Sequence, residues 1–288
     1  MAHTAEKTTV QLRQITHRTH GRRNGPAVRL MSPSDFGQIL KPFVFLDFFD
    51  MQGPPFVGEL HPHSGIATLS YLIDGRMDLI DPDGTTVVLP SGGVEWMQAG
   101  RGMWHGGSVG DENHGRVRGF QLWVALPPES ELGPTFSAFQ KSEDIVSTGP
   151  AQVLLGSYGN ARSAIDAPSP MNFLAVTLKA GARWTYVSPS GHTVLWVSNV
   201  EGRLLANGEE LQPEELVAFE RCSQPVHFEA LTDTQLILGS AVPHNHDLAL
   251  GYYSVHTSPQ ALKVGEAHIQ TIGRQLVEEG RLDRRHVR

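Results

Sequence analysis

Short segments of alternating apolar and polar residues recur along the first half of the chain. The stretch 68–90, TLSYLIDGRMDLIDPDGTTVVLP, contains three such runs, separated by Asp74-Gly75 and Asp83-Gly84. An Asp-Gly pair between alternating runs is a strong short-range signal for a β-hairpin. The pattern predicts strand, turn, strand, turn, strand, and another strand follows in 116–127, RVRGFQLWVALP.

A second region of the same texture begins near Met171. It contains TVLWVSNVEGRLLANGEEL, VHFEAL and TQLILGSAV, with a further turn signal at Asn207-Gly208. We predict an all-β protein of two β-barrels in tandem, because closing a sheet on itself removes its exposed strand edges. The predicted boundaries are 1–130 for the N-terminal barrel, 131–170 for a connecting segment, and 171–288 for the C-terminal barrel with a short helical segment.

A helical pattern is predicted near the end of the chain. Ser258-Pro259 fits an N-cap residue followed by proline at the first helical position. Ile269, Ile272 and Leu276 then recur at helical spacing, and Gly280 is a stop signal. We expect this helix to serve packing.

Composition and charge narrow the function classes. The chain has 288 residues and a formal net charge of −7, which argues against a broad phosphate-binding surface, so direct nucleic-acid binding is not expected. The basic run His17–Arg23 is interpreted as a solvated loop. The single cysteine, Cys222, excludes an intrachain disulfide. No apolar run approaches the roughly 20 residues that cross a bilayer, and we expect a soluble, cytoplasmic protein without membrane contact.

Three histidines form the strongest candidate for chemistry. His61 and His63 lie two apart at the start of a predicted strand, so both side chains project to one side. Pro62 between them indicates an edge position or a strand start. Two hairpins later, His105 follows the turn AGRG and can return to the same barrel interior. Three neutral imidazoles suit iron, nickel, copper, manganese or zinc, and ligand type alone does not choose among them.

At these residues the sequence resembles the pirin family, which consists of bicupins. The resemblance lies in HPHSGIATLSYLIDGRMDLID, VEWMQAGRGMWH and GFQLWVALPPE, and more diffusely in GYYSVHTSPQAL. It implies two cupin-type (jelly-roll) barrels and one divalent metal in the first, with iron expected before the other metals. The implied histidine ligands are His61, His63 and His105. Some family members cleave quercetin with dioxygen, and others are described as transcriptional cofactors or regulators of partner proteins.

The sequence departs from this pattern at the fourth ligand. The family's glutamate position is Gly107 here, and Ala67 stands where another glutamate often follows the HPH segment. A ligand glutamate is a natural base for the flavonol proton, and losing a placed base typically costs about 10²–10⁴-fold in rate. We therefore expect weak or absent quercetin cleavage, and an increase in turnover on Gly107→Glu. Residues that could substitute for the lost carboxylate, although each is expected to be solvated, are Glu59, Asp111, Glu112 and His114.

Two hypotheses from different classes follow. In the first, the protein is a metal-dependent dioxygenase acting on a flavonol or another small enolic or catecholic molecule. Met103 and Trp104, beside the third histidine, are then candidates for an apolar pocket wall, although plain core is the simpler interpretation. In the second, it is a non-enzymatic metal-binding regulatory protein that engages a protein partner. The pair His244 and His246 and the isolated His192 and His227 are interpreted as structural or surface residues.

Overall fold

The computed structural model describes residues 12–80, 85–110 and 115–287, which are mostly β-strand. The helical segments are α1 (Phe36–Ile39), α2 (Pro259–Glu278) and two 3₁₀ turns at Ser142–Asp144 and Arg284–His286. The strands are β1 (Ile15–Thr19), β2 (Arg22–Asn24), β3 (Ala27–Met31), β4 (Phe43–Gln52), β5 (Phe56–His63), β6 (Ile66–Asp74), β7 (Arg76–Ile80), β8 (Thr86–Pro90), β9 (Val94–Gln98), β10 (Met103–Val109), β11 (Arg116–Ala125), β12 (Phe136–Gln140), β13 (Ser147–Thr148), β14 (Ala151–Leu155), β15 (Ser157–Tyr158), β16 (Ala161–Arg162), β17 (Met171–Leu178), β18 (Arg183–Tyr186), β19 (Val194–Glu201), β20 (Leu204–Ala206), β21 (Glu209–Leu211), β22 (Glu215–Phe219), β23 (Val226–Ala230), β24 (Thr234–Ala241), β25 (Ala249–Leu250) and β26 (Val255–His256).

Each half of the molecule is a pair of sheets. The first half has a seven-stranded sheet in the order β12-β9-β6-β11-β4-β3-β2 and a four-stranded sheet in the order β5-β10-β7-β8. The second half repeats this with β1-β22-β19-β24-β17-β14-β13 and β18-β23-β20-β21. The repeated architecture and the C-terminal helix confirm the predicted fold class.

The predicted closure of each barrel is wrong, because each half consists of two separate sheets and the chain passes from one sheet to the other at a bend. At Asp74-Gly75 the chain leaves β6 in the large sheet and enters β7 in the small sheet, with Gly75 at a φ of +94°. The expected hairpin is therefore a corner, and an Asp-Gly pair provides the left-handed backbone that either arrangement needs. Strand β7 does pair with β8, although Asp83-Gly84 between them lies outside the described residues.

A two-residue hairpin is confirmed at Asn207-Gly208. Ala206 pairs with Glu209, and the two turn residues have φ values of 52° and 87°. Positive φ at both central positions is the signature of a type I′ turn, which matches the twist of the strands that it joins.

Pairing crosses the predicted domain boundaries in two places. Strand β1, which the predicted division places with the first barrel, pairs with β22 of the second large sheet. Within that strand, Arg18 bridges Glu209 and Glu215. The predicted connecting segment 131–170 contains β12, which pairs with β9 of the first half, and β14, which pairs with β17 of the second.

The main core lies between the two large sheets. Trp96, Phe120, Phe173 and Trp196 are all nearly inaccessible within one cluster drawn from both halves. Phe43 meets Trp196 edge to face, with ring centroids 5.5 Å apart. The second half therefore packs on the outer face of the first large sheet, which leaves the first small sheet free to carry a site.

Helix α2 begins and ends as predicted. The Ser258 hydroxyl accepts from the Ala261 N–H at 3.2 Å, Pro259 occupies the first turn, and Gly280 follows the helix at a φ of +70°. Ile269 and Leu276 are buried. The four-residue helix α1 was not predicted, since it is too short to show helical periodicity. No helix in the described part of the chain is both long and apolar enough to cross a membrane.

Candidate metal centre

Three histidines converge on two neighbouring strands of the first small sheet. Strand β5 pairs antiparallel with β10, so that His61 faces His105 and His63 faces Met103. One ring nitrogen from each of the three histidines lies within 4.8 Å of the others. Strand β5 is an edge strand, where Pro62 interrupts no ladder on its open side. A three-imidazole set of this kind leaves further coordination positions open.

Two of the imidazoles are held through Nδ1 by backbone carbonyls, which leaves Nε2 as the nitrogen available to a metal. Nδ1 of His61 lies 2.9 Å from the Glu59 carbonyl oxygen, and Nδ1 of His63 lies 3.0 Å from that of Tyr253. A carbonyl can only accept, so each Nδ1 carries the proton and each Nε2 keeps a lone pair. Backbone carbonyls that fix the tautomer in this way are the usual outer partners of metal-binding histidines.

The third imidazole supplies the test of fit. Nε2 of His105 is buried and has no hydrogen-bond partner among the described residues. An unsatisfied buried ring nitrogen costs about 1–3 kcal/mol, which a bound cation would offset. The donor set and this orphaned atom together fit one divalent transition metal ion.

Burial keeps the three rings neutral. It lowers the pKa of His105 to about 3 and takes the pKa of His63 well below the ordinary 6.5, with the neighbouring imidazoles as a further cause. Burial also lowers the pKa of His61. The neutral imidazole is the form that binds a metal, so all three are ready as ligands at neutral pH.

Gly107, the residue expected to correspond to the fourth ligand, is crowded by backbone. Gly107 lies on β10 beyond a register shift, and a Cβ added there would meet the carbonyl oxygen of Asp78 at 2.4 Å. Glu59 does not replace the missing metal ligand, because it is not part of the histidine cluster and its side chain is 79% exposed, with the carboxylate 3.5 Å from Nε2 of His286. The other predicted substitutes, Asp111, Glu112 and His114, lie outside the described residues.

A pocket of about 660 Å³ opens beside His61. Phe56 and Val57 line it from β5, and Tyr253 lines it from the chain between β25 and β26. Tyr253 has a φ of +53°, and its ring centroid lies 5.5 Å from that of His61 and 5.9 Å from that of His63. A non-glycine residue in this conformation costs about 1–2 kcal/mol, so the surrounding structure must hold it there. Sequence reasoning missed Tyr253, whose one signal was its place in the family-like segment GYYSVHTSPQAL.

Comparisons with known proteins decide the family. A sequence profile of the family described as Pirin matches residues 26–124. A Pseudomonas aeruginosa protein named "Putative quercetin 2,3-dioxygenase PA3240" is 34% identical over 212 residues, which cover 67% of this chain and 72% of that protein. This chain belongs to the pirin family.

Two solved structures show the same fold as this pirin. One, described as a quercetin 2,3-dioxygenase from Acinetobacter baumannii, superposes with a TM-score of 0.81 at 23% identity, covering 91% of this chain and 99% of that one. The other is the Escherichia coli pirin YhhW in complex with nickel(II). It has a TM-score of 0.64 at 17% identity and covers 81% of this chain and 99% of that one.

The two candidate wall residues of this pirin lie in different surroundings. Trp104 alternates with His105 along β10, and its indole N–H donates to the carbonyl oxygen of Ile269 in α2 at 2.7 Å. Trp104 also lines the pocket beside His61. Met103 is buried in a small cluster with Met97 and Ala99 and does not line that pocket.

The second half of the pirin carries aromatic rings where the first half carries histidines. In β18 and β23, Tyr186 faces Val226 and Trp184 faces Phe228, in the register that His63 with Met103 and His61 with His105 have in the first half. The positions of the triad are thus filled by Trp184, Tyr186 and Phe228. Elsewhere in the described chain, no second group of three close His, Cys, Asp or Glu side chains was found.

The remaining histidines fit the structural interpretation. His192 bonds through Nδ1 to the Ser240 hydroxyl at 2.9 Å, and His227 lies beside Thr185 on the surface. His244 and His246 meet edge to face, with ring centroids 5.3 Å apart, and no third ligand-type residue lies close to them in the described chain.

Proposed function

We propose that this pirin holds one divalent transition metal at His61, His63 and His105 and acts there as an oxygenase on a small enolic or catecholic molecule of the flavonol type. The buried, unpartnered Nε2 of His105 carries the metal part of this proposal. Iron is our first choice, with nickel, copper, manganese or zinc as alternatives, because three imidazoles accept any of them. The names of the Pseudomonas and Acinetobacter proteins support the choice of reaction.

The metal would supply Lewis acidity and a route for dioxygen chemistry. Three neutral imidazoles leave its full positive charge in place, which favours an anionic substrate oxygen as the next neighbour. The protein's own residues then have to bind the aromatic substrate, exclude water and take up its proton.

The rim of the pocket provides the binding surface. Phe56 is 50% exposed, Val57 71% and Tyr253 42%, which gives an aromatic ring system apolar surface to cover. The Tyr253 hydroxyl makes no hydrogen bond to another described residue, so it is free to bond to an oxygen of the substrate. The buried rings of His63 and Trp123, 4.9 Å apart between centroids, exclude water on the inner side.

Glu59 is the one carboxylate among the described residues that line the pocket. It lines the same pocket as His61, and its carboxylate lies 3.5 Å from Nε2 of His286. In this proposal the Glu59 carboxylate accepts the hydroxyl proton of the substrate. The His286 ring beside it stabilises the negative charge of that carboxylate. An exposed base is less effective than a buried one of raised pKa, so slow turnover is expected.

Oxygen uptake with quercetin, measured on the metal-loaded protein, tests the proposal. We expect slow, metal-dependent uptake that is lost in His105→Ala and falls at least about tenfold in Glu59→Gln. Glu129→Gln, an exposed residue away from the pocket, is the matched control. Uptake that survives His105→Ala would refute the metal centre as the site of reaction, and no uptake at all would favour the second candidate.

That second candidate is a regulatory metal protein. It is favoured by Gly107, which offers no carboxylate and where a Cβ would lie 2.4 Å from the Asp78 carbonyl oxygen, and by the exposed apolar pair Phe56 and Val57, which a protein partner could cover. Under either candidate, the free thiol of Cys222 is in keeping with a reducing, cytoplasmic setting.

A further inference from the structure

A separate cleft lies behind the metal-bearing strand. It has a volume of about 530 Å³, within the usual range for small-molecule sites, and runs between the turn at 99–102, the loop 132–135 and helix α2. None of the three histidines of the metal centre is among its lining residues. Trp104 stands between this cleft and the pocket beside His61, with its indole fixed to α2.

The turn that forms one wall is held rigidly. Gly100 has a φ of +50°, and a Cβ there would lie 2.4 Å from the Gly133 carbonyl oxygen. Gly102 approaches α2 so closely that a Cβ would lie 2.5 Å from the Ile269 side chain. The Arg101 N–H donates to the Gly133 carbonyl at 3.0 Å. Both glycines of the AGRG motif are thus required by packing, and Arg101 is left as the exposed side chain of a fixed turn.

The charges on the cleft are of one sign. Arg101 and Arg281 line it, and no aspartate or glutamate is among its lining residues. Arg101 makes no ion pair with any residue that the structure describes, whereas Arg281 has an exposed partner in Glu279 at 3.2 Å. His268, also on the wall, has a pKa lowered first by burial and then by Arg101, so it adds a neutral hydrogen-bonding group at neutral pH.

The rest of the cleft lining is largely apolar. It includes Leu132 and Trp104, and Ile272 and Leu276 from α2. The Leu132 side chain is exposed, with a relative accessibility of 37%, so it offers apolar surface for a ligand to cover. An arginine without an ion pair, on a fixed turn beside an apolar wall, matches a ligand with an anionic head and an apolar body.

We propose that this cleft is a second ligand site, for a small organic carboxylate with an aromatic or branched apolar body. The carboxylate bonds to Arg101, with Arg281 as a second contact, and the apolar body lies against Trp104, Leu132 and Ile272. The site is independent of the metal, and this inference does not rest on the proposed oxygenase activity.

Calorimetric titration of the purified protein with 2-naphthoate tests the site, with the neutral 2-naphthalenemethanol as the matched ligand. We expect saturable binding of naphthoate that weakens with added salt, and binding of the alcohol that is at least about fivefold weaker. Arg101→Gln should raise the Kd for naphthoate about five- to tenfold. The control, Arg274→Gln, removes the same charge from an exposed position on α2 outside the cleft and should leave the Kd unchanged.

His105→Ala separates this site from the metal centre. If naphthoate binds in the cleft, its Kd is the same in His105→Ala as in the native chain. Loss of binding in that variant would overturn the proposal, since the carboxylate would then be a metal ligand. Equal binding of naphthoate and the alcohol, equal effects of the two arginine substitutions, or no binding at millimolar naphthoate would overturn it as well.

Discussion

The crowding at Gly107 leads to a quantitative prediction for Gly107→Ala. A carbon in contact with a carbonyl oxygen normally lies about 3.3–3.6 Å away, whereas the new Cβ would lie 2.4 Å from the Asp78 oxygen. That oxygen belongs to the backbone of the neighbouring strand β7, so relief requires β10 and β7 to move apart by about 1 Å. Overpacking of this kind costs about 1–3 kcal/mol, reduced by the smaller chain entropy that alanine loses on folding.

Gly58→Ala is the matched control, because Gly58 pairs with Gly107 across β5 and β10. A Cβ at Gly58 would meet the Gly107 carbonyl oxygen at 3.3 Å, which a small adjustment accommodates. In urea denaturation of the metal-free variants, Gly107→Ala should be less stable than Gly58→Ala by about 1–3 kcal/mol, because both variants share the smaller entropy loss of alanine. Equal stabilities for the two variants would refute the reasoning.

The same contact changes the expectation for Gly107→Glu. From the sequence, a glutamate there should restore a ligand and base. In the structure its Cβ has the same collision, so we expect lost stability before any gain in turnover.

Further predictions concern the surroundings of the triad. Tyr253→Phe should raise the KM for quercetin up to about tenfold at unchanged metal content, through loss of a hydrogen bond to the substrate, and an unchanged KM would exclude that contact. Glu131→Gln should lower the free energy of unfolding by about 1–3 kcal/mol, with Glu129→Gln near zero, because the buried Glu131 carboxylate accepts from the His256 ring at 3.0 Å and from the Thr257 N–H at 2.8 Å. On acidification, only the unfolded chain protonates the histidine at 105, since its folded pKa of about 3 lies below the ordinary 6.5. The contribution of this histidine to the free energy of unfolding of the metal-free protein should therefore be fully present above about pH 6.5. Below that pH the free energy of unfolding should fall by up to about 1.4 kcal/mol per pH unit for each such histidine. A free energy of unfolding from urea denaturation that does not change with pH would contradict this.

The placement of the triad could be predicted because it depends on local rules. His61 and His63 share a face through the two-residue period of a strand, and the edge position of β5 follows from Pro62. That His105 would return to them needed only antiparallel neighbours and the family motif. The end of α2 was equally local, since Ser258 and Gly280 are cap residues.

What the sequence could not show depends on distant pairs. The contact of Tyr253 with His63 joins residues 190 positions apart, and no periodicity records it. Strand β1 lies in the second half because Ile15 pairs with Phe219, which local alternation cannot distinguish from pairing with a nearer strand. Gly75 gives the same turn signal whether the chain makes a hairpin within one sheet or passes to another sheet. The alternation therefore predicts a closed barrel where the structure has two open sheets.

Elemental analysis by inductively coupled plasma mass spectrometry tests the metal centre most directly. The protein would be purified without a tag and without added metal, beside His105→Ala and the control His192→Ala, whose ring bonds to Ser240 in the other half. The triad predicts one transition metal ion per chain, or one after reconstitution with iron or nickel, retained in His192→Ala and lost in His105→Ala. A native chain that stays empty after reconstitution, or a His105→Ala variant that keeps its metal, would contradict the account.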